Sequence, residues 1–189
     1  MNQPLRWRII VLQAALVAVL GILAGFAFWG ANFSHDMVHD QLAEQQIFFP
    51  KKGDANFSAT EYPALQKYAG QQLLDGPQAQ AYANDYIGHH LKSVANGMTY
   101  SQASAASRLD PNNTELAGQV QTLFRGETLR GLLLNAYGWW TVGQYAFYAG
   151  LGIALAAGVV SVALLFEVWR WLEETRGEKA APLGAPARA

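Results

Sequence analysis

The stretch LLLNAYGWWTVGQYAFYAGLGIALAAGVVSVALLF, residues 132–166, decides the fold. Its 35 residues carry no charge and lie between Arg130 and Glu167. At about 1.5 Å per residue a helix of that length is roughly 52 Å long, against a bilayer core of about 30 Å. The run is therefore too long for one simple span. Its later part, 142–166, reads as a transmembrane helix. Its first part, 132–140, is expected to lie at the outer membrane surface as a shelf, with the join between Gly138 and Gly143. A second uncharged run, residues 9–30, follows Arg6 and Arg8. Two runs of spanning length favour membrane helices over a buried core helix.

A basic start before an apolar run also describes a signal peptide. The apolar core here is longer than the roughly 7–15 residues of a signal sequence, and Phe26-Ala27-Phe28-Trp29 offers no small-x-small cleavage site, so a retained anchor is expected. Basic residues set the orientation: Arg6 and Arg8 precede the first run, while Arg170, Arg176 and Lys179 follow the second. That bias places both termini in the cytoplasm and residues 31–141 outside the cell membrane, although Arg125 and Arg130 oppose it. Trp7 and Trp29 bracket the first run, and Trp139/Trp140 and Trp169/Trp171 the second, as headgroup-level indoles do. Small residues recur at helical spacing in both runs (Ala14, Ala18, Gly21 and Gly25; Gly143, Ala146, Gly150, Ala154, Ala157 and Ser161). They suit close helix packing, either between the two spans or with a homodimer or membrane-protein partner.

Charged residues make up 14% of the chain and the net charge is −1, which gives no electrostatic case for nucleic acid. Cysteine is absent, excluding disulfides, thiolate zinc sites and cysteine catalysis. The expected fold class is all-α: two transmembrane helices flanking an extracytoplasmic helical bundle. Asn32 or Ser34 is expected to cap a helix reaching Ile47, and Pro50, Gly53 and Asp54 to form a loop. Ser58-Ala-Thr-Glu61 fits a capping box for a helix to Leu74, and Pro77 starts another that ends at Asn96-Gly97. Thr99 and Thr114 are expected to cap the last two. Beyond Trp171, Glu167 with Arg170 and Glu173 with Arg176 are spaced to pair on a short helical extension, and the Ala/Pro/Gly tail reads as disordered.

All four histidines fall in the outer segment. His35 and His39 share one helix face, the spacing of a two-histidine metal site, with Asp36, Asp40 and Glu44 nearby. His90 is expected on the apolar face formed by Ala83, Tyr86, Ile87, Leu91 and Val94. A metal or haem site of His35, His39 and His90 is thus one candidate; solvated or hydrogen-bonded histidines are the plainer reading. A second candidate is an interaction face of Arg125, Glu127, Arg130, Trp139 and Trp140, which would meet an anion, a lipid phosphate or a partner. The plainer reading there is a Glu–Arg pair with arginines reaching the headgroups. No nucleophile–base pair, phosphate-binding loop or dinucleotide fingerprint stands out, so a non-enzymatic role is expected.

The segments Val120-Gln-Thr-Leu-Phe-Arg-Gly-Glu-Thr-Leu-Arg-Gly-Leu-Leu-Leu-Asn-Ala-Tyr-Gly-Trp139 and Ala83-Asn-Asp-Tyr-Ile-Gly-His-His-Leu91 carry a resemblance. The chain resembles, over most of residues 9–171, a family of uncharacterised bacterial two-span integral membrane proteins, chiefly actinobacterial. The resemblance implies the same two-span layout and transfers no catalytic residue. The leading expectation is an interaction or accessory subunit of a larger complex. The rivals are an extracytoplasmic ligand-sensing module and a metal- or haem-dependent redox protein.

Overall fold

The computed structural model describes residues 3–180, and the described residues are all-α. Helix α1 (Gln3–Gln45) leads into irregular chain with a 3-10 turn at Pro63–Tyr68. Next come α2 (Gly76–Ala81), a π-helical stretch (Tyr82–Ile87) and α3 (Gly88–Ser93), without a break. A 3-10 turn, α4 (Tyr100–Leu109) and α5 (Thr114–Ala180) complete the chain. The tail residues 181–189, expected to be disordered, lie outside the described residues. Both α1 and α5 are long and apolar enough to cross a membrane. The chain divides into two compact units, residues 1–30 with 146–189, and Ala31–Tyr145.

In the first unit the α1 and α5 segments run antiparallel. Arg6, 4% exposed, donates from Nη1 to Glu174, and its Nε lies 3.7 Å from the Glu167 carboxylate. The guanidinium holds the Glu174 carboxyl below its ordinary range. Trp7 meets Trp171 with ring centroids 6.4 Å apart, and Phe28 meets Phe147 edge-on at 5.7 Å. Gly150 admits Phe28: a β-carbon there would stand 3.0 Å from the ring. The pairing expected of Glu167 with Arg170 is replaced by Arg6. Arg170 instead approaches Glu174, one turn further on, at 3.9 Å. Gly21 and Gly25 have open space where a β-carbon would be, so these two members of the small-residue stripe do not meet α5.

The second unit has an aromatic core. Val38 and Leu42 of α1, Leu133 of α5 and Ala79 and Ala83 of the middle helices enclose Phe49, Phe57, Tyr62, Leu65 and Leu73, all nearly inaccessible. The irregular chain is held by a short antiparallel bridge: Phe49 N–H donates to Gln71 O and Leu73 N–H to Ile47 O, both at 2.9 Å. The helix expected from Ser58 to Leu74 does not form. Ser58 does accept from Glu61 N–H at 3.2 Å. But Tyr62 precedes Pro63, whose ring disfavours α geometry in its predecessor, and Tyr62 takes φ −123°, ψ 56°. Only the 3-10 turn follows, and it ends before Gly70, at φ +72°.

Helix starts and breaks depart from expectation in part. No cap interrupts α1 at Asn32 or Ser34; the Ser34 hydroxyl bonds to α5 instead. Asn113, not Thr114, caps α5, accepting from Leu116 N–H at 2.9 Å. Thr99 forms the expected cap, in reciprocal hydrogen bonds with Gln102. The join expected between Gly138 and Gly143 is absent, because α5 is α-helical throughout, and residues 132–140 are turns of it rather than a separate shelf. Leu133, within that stretch, is 4% exposed and belongs to the aromatic core.

Close approach of helices explains two glycines. A β-carbon on Gly76 would lie 2.3 Å from Trp140 Cβ, and one on Gly126 would lie 2.4 Å from a Leu91 methyl. Gly118, in α5, has open space. Gly76→Ala should therefore cost about 1–3 kcal/mol through overpacking. Gly118→Ala should stabilise by up to about 1 kcal/mol through helix propensity. Thermal melting of the two variants beside the parent checks the opposite signs.

Candidate functional site

The second unit contains an open groove of about 430 Å³. One wall is a face of α1, where Met37, Gln41 and Gln45 recur every fourth residue with Val38 and Leu42 beside them. The other wall is α5, where Leu129, Leu132, Asn135, Ala136 and Trp139 follow helical spacing. Ile47, Tyr82 and Ile87 close the groove. No lining residue is Asp, Glu, Lys, Arg or His. Leu129, Leu132 and Trp139 are 51%, 62% and 50% exposed, so much of the wall is bare apolar surface.

Two hydrogen bonds set the wall spacing. Ser34 Oγ donates to the Trp139 carbonyl at 2.6 Å, and His35 Nε2 lies 3.2 Å from the Trp140 carbonyl. The second contact requires the Nε2–H tautomer, since a carbonyl only accepts. The His35 ring stacks on the Trp140 indole at 4.1 Å. Gly143 makes the approach feasible: a β-carbon there would stand 2.8 Å from His35 Cδ2 and 3.0 Å from Ser34 Cβ.

The π-helical stretch sets the other side. In a π turn the amide bonds five residues back, as Gly88 N–H does to the Ala83 carbonyl. The inward face consequently steps from Ala83 to Gly88 and Leu91, a five-residue interval and then three. Had the helix been regular, positions 83, 87 and 90 would share that face. This is why His90, expected among apolar residues, is exposed. It bonds the Tyr86 carbonyl through Nδ1 at 2.9 Å and lies edge-on to the Tyr86 ring. Gly88 lets Arg130 lie across the bulge, with Nη2 donating to Asn84 Oδ1 at 3.2 Å.

The residues singled out from the sequence are thus dispersed. His35 is occupied by Trp140. His39 lies 3.2 Å from Asp40, and His90 lies against Tyr86. Among the described residues no group of three or more His, Asp or Glu side chains is placed to hold a metal ion. Of the second set, Arg130 pairs with Glu127 at 3.2 Å, while Arg125 is exposed. Trp140 packs against His35 and Gly76, and Trp139 lines the groove. Sequence reasoning missed the groove residues Gln41, Gln45 and Asn135. The four-residue spacing of the two glutamines was the available signal.

The core beside the groove carries a titration. Tyr62, 3% exposed, is pushed up to about 12 by burial, assisted by the Glu61 carboxylate. Burial also raises Tyr82 and Tyr86. A phenol raised in the folded state binds more protons there than when unfolded between about pH 10 and 12. Its contribution is present below pH 10 and disappears as pH rises through that window. Melting temperature should fall steeply from about pH 10 upward, and less steeply in Tyr62→Phe, measured by circular dichroism across that range.

Comparison with known protein families, with curated proteins and with solved structures gives no match.

Proposed function

We propose that this chain is an integral membrane protein. Its two long helices hold residues 31–141 outside the cell membrane, and it serves as a non-enzymatic interaction or accessory subunit. One observation carries the reading. The most apolar 18-residue windows of α1 and α5 are only 11% and 6% buried within the protein. Apolar surface of that extent is covered by lipid or by other membrane helices. The spans are residues 9–30 and 142–166, with both termini cytoplasmic by the excess of Arg and Lys at those ends.

A second reading, an extracytoplasmic ligand-sensing module, is favoured by the groove. Its volume falls within the roughly 300–1,000 Å³ of small-molecule sites, and its walls are mostly apolar with a few polar groups.

The lack of cysteine makes topology directly testable. Lys52→Cys should react with a membrane-impermeant maleimide added to intact cells. Ala181→Cys should react only after permeabilisation. The reverse pattern, or equal reaction of both, overturns the layout. Crosslinking in the native membrane should then trap a specific polypeptide partner; recovery of monomer alone counts against the accessory role.

A further inference from the structure

We draw no further inference here: the strongest candidate, the polar pocket of about 390 Å³ lined by Lys92 and Arg130 beside the start of α4 in the second unit, carries nothing, because its arginine is already bonded to Glu127 and Asn84, its lysine is open to solvent, and neither implies a ligand.

Discussion

The residues Ala31–Tyr145 depend on one junction, where Ser34 and His35 of α1 bond to the consecutive carbonyls of Trp139 and Trp140 in α5. These carbonyls belong to a helix interior, so their backbone direction is already set, and the two bonds fix both the register and the rotation of α1 against α5. Gly143 supplies the necessary space. Trp140 then becomes a hub. One face of its indole stacks on His35, and its Cβ lies where a side chain on Gly76 would be, which positions the start of α2. The aromatic core and the groove both follow from this spacing.

The π-helical stretch is the second determinant. It adds one residue to a turn, and everything after it rotates relative to a regular helix. The rotation brings Gly88 and Leu91 inward and leaves His89 and His90 outward, where His89 meets Glu61 at 2.9 Å. It also presents Asn84 to Arg130. Arg130 is thereby tied to Glu127 on its own helix and to the bulge across from it. A surface pair of that kind contributes little to stability but orients a long side chain.

Much of the architecture was legible from local signals. The uncharged runs announce the long helices, Thr99 announces the start of α4, and Asn96-Gly97 announces the left-handed turn, found at φ 56° and 80°. Asp75 caps α2, a role not read from the sequence, by accepting from Gln78 N–H at 2.7 Å. Other features were not legible because their causes are distant in sequence. Ser34 resembles a cap until Trp139 claims its hydroxyl, 105 residues away. Residues 132–140 look like a separate segment when helix length is compared only with bilayer thickness. The surplus turns are instead absorbed as the wall and core of the second unit.

The amino-acid sequence by itself determined the all-α class, the two long apolar helices and most of the breaks between the shorter ones. These follow from hydropathy, capping residues, glycine and proline, which act within a few positions of where they stand. Tertiary structure alone decided the unbroken course of α5, the π turn, the pairing of Arg6 with Glu167 and Glu174, and the groove with its three carboxamides. Each of these depends on which faces of α1, α5 and the middle helices meet. That is set by close packing and by hydrogen bonds between residues far apart in the chain, which no local pattern encodes.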